Sequence, residues 1–549
     1  MGVRMKNKLL LVILLIVTLI LGSAVIANAN KTLVFATGGD AAKLDPADVT
    51  DNESMERMDN IFECLVGFKP GTTEIQPWLA TSWEISSDGK EIIFYLRKGV
   101  KFHDGTDFDA DAVVFSFSRQ YDSNHPYYQY GEWQAWKVFF GAIEKVIKID
   151  DYTVKFILRR KNAVALTSLG MMYAVAIVSP ANAEKYGEDA FKHPCGTGPF
   201  NFVEWVKDDH IILEANEDYW RGRPKIDRLI FKVIPDPSVR LMALEVGEIQ
   251  GMQYPNPADF NRIKNNPQLK LRTEPGMNIG YMAINTGYGY EDDNNNGMRD
   301  SDEPWVKTPG YFEPLTKKKV RQAINMAIDK QSIVDNIFMG SAIKAKNGIP
   351  PFMLGYNDKI EDYPYNPERA KALLSEAGYP EGFEVTLYVM PVSRAYMFDP
   401  VKIGEAIQNY LSAVNIRVKF YQADWATYLE EVAAGKHQLC LLGTTGDTGD
   451  TDDFMGMVYA PDSAAIGTSS NHAFYNNQEV QDLISRSLQT YNKDERAEYY
   501  KKAQEIIHED AAWVFIAHAN QNLVFNVNVH NFILSPTSRM FFYPVWVEE

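Results

Sequence analysis

The second half of the chain alternates between short apolar runs and longer segments with helical spacing of apolar positions. The pattern predicts strands at 384–389, 416–421 and 438–443, and helices at 400–413 and 425–434. This β-α-β-α-β order indicates an α/β domain with a largely parallel sheet. Ligands of such sheets bind at the carboxyl ends of the strands. Polar segments that directly follow these strands are therefore the first candidates for a binding site.

The first half reads differently. A strand is predicted at 32–36, and a helix that carries Met58, Ile61, Phe62 and Leu65 follows it. From Trp83 to Phe117 the pattern predicts strand, turn, strand, turn and helix, with Asp109 near the start of the helix as a capping residue. A further helix is predicted at 318–335.

The composition is that of a globular protein built from more than one domain. The chain has 549 residues, of which 46% are apolar and 23% charged, so two or three domains are expected. The net charge of −17 argues against nucleic acid and anionic membranes as partners. Cys64, Cys195 and Cys440 form no metal spacing or disulfide framework, although one bridge stays open.

Residues 1–29 have the features of a signal peptide. Three cations precede an apolar run that begins at Leu9, and Ala27-Asn28-Ala29 is a cleavage site of the small-x-small type. We expect export and cleavage after Ala29, and hence a periplasmic or extracellular protein. An uncleaved anchor is the alternative, because Leu9 to Ala27 is long enough to span a bilayer.

Two polar segments follow strands of the predicted parallel sheet. The first is Met390-Pro391-Val392-Ser393-Arg394-Ala395-Tyr396, and the second is Gly446-Asp447-Thr448-Gly449-Asp450. Arg394 could bind a carboxylate through two parallel hydrogen bonds, and Asp447 could bind an ammonium group. Together they would suit a zwitterion such as a free peptide. From the residues alone, a surface or interface ion pair is the competing interpretation.

Several blocks are similar to one known family. They are WEISSDGKEIIFYLRKGVKFHDGTDFDADAVVFSF (83–117), GTGPF (196–200), NEDYW (216–220) and VRQAI (320–324). The mature chain resembles the extracellular solute-binding proteins of family 5, the binding subunits of ABC importers. The MPVSRAY and GDTGDTDDF segments resemble the periplasmic dipeptide-binding branch in particular.

The resemblance implies a fold and a site. The fold is an α/β, two-lobed periplasmic-binding-protein fold of cluster C type, with a hinge and an extra domain. It implies that Arg394 clamps the ligand carboxylate, that Asp447 pairs with its ammonium, and that Tyr396 and Trp425 line the cleft. Thr444 stands where the branch has an aromatic residue, which leaves side-chain preference open. The expected division is signal peptide 1–29, lobe I 30–75 with 195–280 and 512–549, extra domain 76–194, and lobe II 281–511.

An insertion at 287–313 carries a calcium-loop pattern. The ligand positions of a twelve-residue loop are filled by Asp292, Asn294, Asn296, Met298 (through its carbonyl), Asp300 and Glu303, with Gly297 at the turn. This predicts a structural Ca²⁺ that rigidifies the insertion, and no required cofactor. An acidic, Asn-rich surface loop is the competing interpretation.

The predicted function is the substrate-binding subunit of an ABC importer for dipeptides or short oligopeptides. The expected partners are a short peptide and a membrane permease, and a monomer is expected. No motif of a hydrolase, zinc peptidase or nucleotide-binding enzyme is present, so the chain is not predicted to be an enzyme. Two alternatives stay open: the same fold binding an oligosaccharide, nickel or haem, and a sensor linked to a chemoreceptor.

Overall fold

The computed structural model describes residues 31–49, 51–293, 299–300 and 302–548. The predicted signal peptide lies outside these residues. Within them, no helix is both long enough and apolar enough to cross a membrane.

The strands predicted from the alternation of apolar and polar positions are present, with bounds close to those expected. The strands are β1 Thr32–Thr37, β2 Val66–Phe68, β3 Ile75–Pro77, β4 Ala80–Ile85, β5 Glu91–Leu96, β6 Ile143–Asp150, β7 Thr153–Leu158, β8 Phe200–Val206, β9 His210–Ala215, β10 Arg228–Val233, β11 Gly251–Gln253, β12 Leu269–Pro275, β13 Asn278–Ile284, β14 Tyr288–Gly289, β15 Val306–Lys307, β16 Ala342–Lys344, β17 Phe383–Tyr388, β18 Ile416–Tyr421, β19 Leu439–Thr445, β20 Trp513–Asn526, β21 Val529–His530 and β22 Trp546–Val547.

Many helices begin at an Asp or Asn whose side chain accepts a hydrogen bond from the first turn, as at Asp109, Asp399 and Asp424. The α-helices are Asn52–Met58, Ala110–Tyr121, Gln134–Phe139, Ala165–Ser168, Pro180–Tyr186, Pro237–Glu245, Phe260–Asn265, Glu313–Thr316, Lys318–Ala327, Lys330–Ile333, Pro367–Glu376, Pro400–Ser412, Trp425–Ala433, Asp452–Phe454, Gln478–Leu488 and Lys493–Asp510. Short 3₁₀ or π segments lie at Tyr128–Tyr130, Gly187–Lys192, Val334–Phe338, Pro257–Asp259, Met455–Tyr459 and Pro461–Ser463.

One long sheet runs through both halves of the molecule. Its main path has the order β18-β17-β19-β13-β20-β11-β1-β10-β9-β8, and β12 and β16 also pair with β20. The first part of β20 pairs with β13, and its last part pairs with β11 and β12. This strand therefore passes from one lobe into the other. A separate sheet of order β4-β5-β7-β6 lies within the segment predicted to be the extra domain.

The buried apolar side chains form two large clusters. One is built from residues between Met277 and Ala519, and the other from residues between Leu33 and Phe231 together with Leu523 to Val545. Two cores joined by a shared strand are the arrangement of a two-lobed α/β binding protein. The predicted domain boundaries stay a prediction.

Two predicted helices end earlier than expected. The first ends at Met58 instead of continuing through Leu65, because the carbonyls of Asn60 and Ile61 accept hydrogen bonds from the N–H groups of Phe200 and Gly198 rather than from a next helical turn. The helix predicted at 318–335 breaks at 328–329, where Asp329 caps a new helix by accepting from the Ser332 N–H. In both places, tertiary contacts and local capping override the helical periodicity.

All three cysteines are buried and unpaired by disulfide bonds. Cys440 is fully buried between β13 and β17, as expected of a core thiol. Burial raises the pKa of both Cys64 and Cys195 to about 12, so neither is an activated thiol.

Candidate functional site

The segments that carry Arg394 and Asp447 leave the same edge of the sheet. Strand β17 pairs in parallel with β19, with Leu387 opposite Leu439. Arg394 lies in the loop after β17, and Asp447 lies two residues after Thr445, the last residue of β19. Because the carboxyl ends of adjacent parallel strands meet at one edge, the loops that carry the two residues leave the sheet on the same side.

Arg394 is held by its backbone and leaves its side chain half-buried. Its N–H donates to the Met397 carbonyl and its carbonyl accepts from the Met397 N–H, both at 3.0 Å. The guanidinium carbon lies 4.8 Å from the centre of the Trp425 ring. One nitrogen, Nη1, lies 3.7 Å from Oε1 of Glu53, which is a loose ion pair rather than a hydrogen bond. The guanidinium is thus in contact with an aromatic ring and makes no close hydrogen bond with Glu53.

A second aromatic side chain, Tyr428, holds the Trp425 ring in place. It stacks on Tyr428 with ring centres 5.6 Å apart and an angle of 14° between the planes. Tyr428 is fully buried, and its hydroxyl donates to the carbonyls of Leu441 (2.5 Å) and Tyr388 (3.2 Å). Through Tyr428, the sheet therefore holds the Trp425 ring in place beside Arg394.

Tyr396 forms a wall of the same region. Its ring packs against Gly443 of β19 and its carbonyl lies against Gly280 of β13; an added Cβ would come within 2.3 Å and 2.4 Å, respectively. Both glycines are thus needed for this close approach. Burial raises the pKa of Tyr396 to about 12. Its contact with ligand stays a prediction.

Asp447 lines a small cavity between the two lobes. The other lining residues come from the helix at 52–58, the loop at 171–173 and the C-terminal segment, namely Asn52, Met55, Glu56, Asp59, Met171, Met172, Tyr173, Thr537, Ser538 and Arg539. Within the described part of the chain, the Asp447 carboxylate forms no hydrogen bond or ion pair. Burial raises its pKa to about 7. A carboxylate in this state lacks a cationic partner.

Two other acidic residues of this segment are occupied, whereas Oδ1 of Asp452 is buried without a hydrogen-bond partner among the described residues. Asp450 is bound by both terminal nitrogens of Arg496 at 2.7 Å and 2.9 Å. Asp453 accepts from the backbone N–H (3.0 Å) and the hydroxyl (2.7 Å) of Thr448. Asp450 and Asp453 are therefore used within the protein, and Asp452 does not line the cavity. The pairing of Asp447 with a ligand stays a prediction.

The opposite wall of the cavity belongs to the first lobe and is rich in charge. Asp59 accepts from Arg539 Nε at 2.7 Å, and Glu56 lies 3.2 Å from Arg57. Burial raises the pKa of Glu56 to about 8 despite its arginine neighbour. Asp59 is paired with Arg539 and Glu56 has Arg57 beside it, whereas Asp447 has no cation within ion-pair distance among the described residues.

The predicted calcium loop is described only in part. Asn294, Asn296 and Met298 lie outside the described residues. Glu303 is buried, and its two carboxylate oxygens accept the N–H groups of Asp293 (3.1 Å) and Asp300 (2.8 Å). Each oxygen keeps a lone pair that could bind a cation. No cluster of three acidic, His or Cys side chains suited to a metal occurs in the described residues, and the calcium site stays a prediction.

Two features of the site were not predicted from the sequence. Glu53 approaches Arg394 from the first lobe, and Tyr428 supports Trp425. No motif marks Glu53, because its partner lies in a distant part of the chain. Tyr428 is marked only by its spacing of three residues from Trp425 on the same helix face.

Comparison with known proteins defines the family. Residues 74–465 match the family model for bacterial extracellular solute-binding proteins, family 5. The chain belongs to this family. It is 36% identical over 535 residues to the dipeptide-binding protein of Escherichia coli, covering 94% of this chain and 95% of that protein. It is also 36% identical over 539 residues to heme-binding protein A of Haemophilus influenzae, covering 95% and 93%.

Solved structures give the same result. The periplasmic binding protein DppA of Helicobacter pylori in complex with the peptide STSA has a TM-score of 0.82 and 34% identity, covering 94% of this chain and 98% of that one. The dipeptide-binding protein of Pseudoalteromonas sp. SM9913 in complex with Met-Leu has a TM-score of 0.82 and 27% identity, covering 94% and 100%. The predicted family and two-lobed fold are confirmed. The family and these relatives are solute-binding proteins rather than enzymes, as predicted for this chain.

Proposed function

We propose that this chain is the substrate-binding subunit of an ABC importer that captures dipeptides or short oligopeptides outside the inner membrane. Arg394 binds the carboxylate of the ligand, and Asp447 binds its ammonium group. The observation that best supports this proposal is the partly buried Asp447 carboxylate, which has a raised pKa of about 7 and no partner in the described residues. A ligand ammonium would supply the missing positive charge.

The surroundings of Arg394 suit a ligand carboxylate, as those of Asp447 suit a ligand ammonium group. Since Trp425 lies against the guanidinium, we expect a ligand carboxylate to approach along the edge of the guanidinium. An edge approach permits two parallel N–H···O bonds, which select a carboxylate over a neutral carbonyl. Recognition would therefore depend on the two ends of the ligand more than on its side chains. Tyr396 and Trp425 would form the walls between the two ends.

Ligand binding would couple to lobe closure. The cavity at Asp447 has walls from both lobes, so a ligand in it contacts both. Such a ligand binds the closed form better than the open form and shifts the population toward closure. The closed form would deliver the ligand to the permease. Export would depend on the signal segment at 1–29, and an uncleaved anchor is the alternative.

A Ca²⁺ bound by the insertion would have a structural role apart from this chemistry. Carboxylate and carbonyl oxygens in a flexible loop suit calcium. Its ligands would be Asp292, Asn294, Asn296, Met298, Asp300 and Glu303. The ion would stabilise the insertion, and the monomer would remain the functional unit.

Haem is the main rival ligand, since one relative of equal identity is named a heme-binding protein. Met171, Met172 and Tyr173 line the cavity, and Met and Tyr side chains can ligate haem iron. Peptide is favoured because the Asp447 carboxylate, which has no partner among the described residues, and the Arg394 guanidinium together complement a zwitterion. Haem lacks an ammonium group that would balance Asp447.

A thermal-shift screen of the mature protein tests the proposal. Ala-Ala should raise the melting temperature by mass action, while N-acetyl-Ala-Ala and Ala-Ala-amide should not. R394A and D447N should abolish the shift, and variants of exposed residues, R417A and D482N, should retain it. A shift with haem or an oligosaccharide but none with free-ended peptides would overturn the proposal.

A further inference from the structure

Glu53 is an acidic residue that lies beside Arg394, where the carboxylate of the ligand is proposed to bind. Its Oε1 atom lies 3.7 Å from Nη1 of Arg394, and the two side chains are 28% and 33% exposed. Glu53 belongs to the helix at 52–58, and the neighbouring Asn52 lines the cavity that contains Asp447. Its backbone carbonyl accepts from Arg57 Nη1 at 2.6 Å. Glu53 is therefore fixed in a position from which it faces Arg394 across the cleft.

The guanidinium of Arg57, which lies on the same helix as Glu53, already has other partners. Arg57 binds the Thr37 hydroxyl at 2.6 Å and the Gly39 carbonyl at 2.8 Å, and lies 3.2 Å from Glu56. Arg539 is bonded to Asp59. In the described part of the chain, Arg394 is the cation within ion-pair distance of the Glu53 carboxylate.

A ligand carboxylate at Arg394 changes this balance. Two negative groups, the ligand carboxylate and Glu53, would then share one guanidinium. Charges of like sign a few ångströms apart disfavour each other in a partly buried cleft. A second positive charge on the ligand, close to its carboxylate, would restore the balance. The side chain of the C-terminal residue is the part of a peptide that lies nearest to the carboxylate.

We infer that Glu53 is a specificity-determining residue that selects peptides with a basic C-terminal residue, lysine or arginine. This inference rests on the proposed function, because it requires Arg394 to bind the ligand carboxylate. The charges of the cleft favour a dipeptide of net charge +1 as the ligand. An acidic C-terminal residue is disfavoured for the same reason.

Calorimetric titration with matched dipeptides tests the inference. Ala-Lys should bind about five- to tenfold tighter than Ala-norleucine, which has a similar length without the charge, and Ala-Glu should bind more weakly than Ala-Gln. Lys-Ala, which carries the basic side chain at the other end, should show no comparable gain. The advantage of Ala-Lys should shrink as salt is raised, since the pair is partly exposed.

The variant E53Q provides the decisive control. It should bind Ala-Lys and Ala-norleucine with equal affinity and should bind Ala-norleucine more tightly than the wild type does. E405Q, which changes an exposed glutamate, should behave like the wild type. The melting temperature of unliganded E53Q reports whether the variant is folded.

The outcomes separate the two proposals. Equal binding of Ala-Lys and Ala-norleucine by the wild type would overturn the role of Glu53 while leaving the peptide-binding function intact. A lysine preference that persists in E53Q would also overturn it. If no free-ended dipeptide binds the wild type, the proposed function itself fails.

Discussion

Asp447 and Asp450 lie three residues apart in one turn, yet they have opposite surroundings. Asp450 is gripped by both terminal nitrogens of Arg496, and both side chains are more than 90% buried. Asp447 faces the cavity between the lobes with no cation at ion-pair distance among the described residues, and burial raises its pKa to about 7. The first carboxylate is balanced within the protein, while the second would be balanced only by something that enters the cleft.

This difference separates a structural charge from a binding charge more clearly than residue type does. A paired buried carboxylate costs stability when its partner is removed. An unpaired one costs stability as it stands, and its removal should relieve that cost. The comparison therefore predicts opposite effects on folding and on binding at the two positions.

The largest effect is expected from loss of the structural pair. R496A leaves Asp450 buried without its cation, so the free energy of unfolding should fall by about 3–5 kcal/mol. Urea denaturation followed by tryptophan fluorescence measures this loss. The double variant R496A/D450A should recover part of it, because the orphaned charge is removed. A loss below about 1 kcal/mol would show that the pair is not structural.

The next largest effect is the loss of binding at Asp447. D447N removes the charge while keeping the shape, and the affinity for Ala-Ala should fall about thirtyfold or more, equivalent to at least about 2 kcal/mol. Isothermal titration calorimetry measures it, with D482N as the matched control. Unchanged affinity in D447N would remove Asp447 from the site.

The same substitution should stabilise the unliganded protein in a pH-dependent way. Folded Asp447 keeps its proton up to pH about 7, whereas an unfolded Asp loses it near pH 4, so the folded state binds more protons in this window. The contribution of Asp447 to the free energy of unfolding of the wild type therefore declines as pH rises from about 4 to 7. D447N should gain on the order of 1–3 kcal/mol over the wild type at pH 8 and almost nothing at pH 4. An equal difference at both pH values would contradict the raised pKa.

A smaller effect is expected from the support of Arg394. W425A removes the ring that covers the guanidinium, and the affinity for Ala-Ala should fall about three- to fivefold, in line with a partly exposed cation–π contact. W425F should retain most of the affinity. Unchanged affinity of W425A for Ala-Ala would show that Trp425 does not support Arg394.

The smallest effect concerns the insertion. Millimolar calcium should raise the unfolding free energy by on the order of 1 kcal/mol in chelator-treated protein. E303Q should lose this response, and D302N, which changes a non-ligand position of the same loop, should keep it. Calorimetry that detects no calcium binding at millimolar concentration would refute the site.

Much of the second lobe could be predicted from the sequence. The strands and the caps at Asp399 and Asp424 are encoded locally, and the parallel pairing of β17 and β19 follows from their order. The family blocks then pointed to Arg394 and Asp447. Local periodicity and turn chemistry suffice where each residue's neighbours in space are also its neighbours in sequence.

Other features depend on contacts that are distant in sequence. The helix at 52–58 ends early because Gly198 and Phe200 bond to its continuation. The opposition of Glu53 and Arg394 arises only when the two lobes come together. The difference between Asp447 and Asp450 likewise depends on Arg496, which no local pattern assigns to one carboxylate rather than the other.

The central claim is that the ammonium group of the ligand balances the negative charge of Asp447. Titration of Ala-Ala at pH 6.5 in buffers of different ionisation enthalpy measures the protons released on binding. With a pKa of about 7, about three quarters of unliganded Asp447 is protonated at this pH, so wild type should release about 0.7 proton per ligand and D447N close to none. Equal release by wild type and D447N, or none by either, would contradict the account.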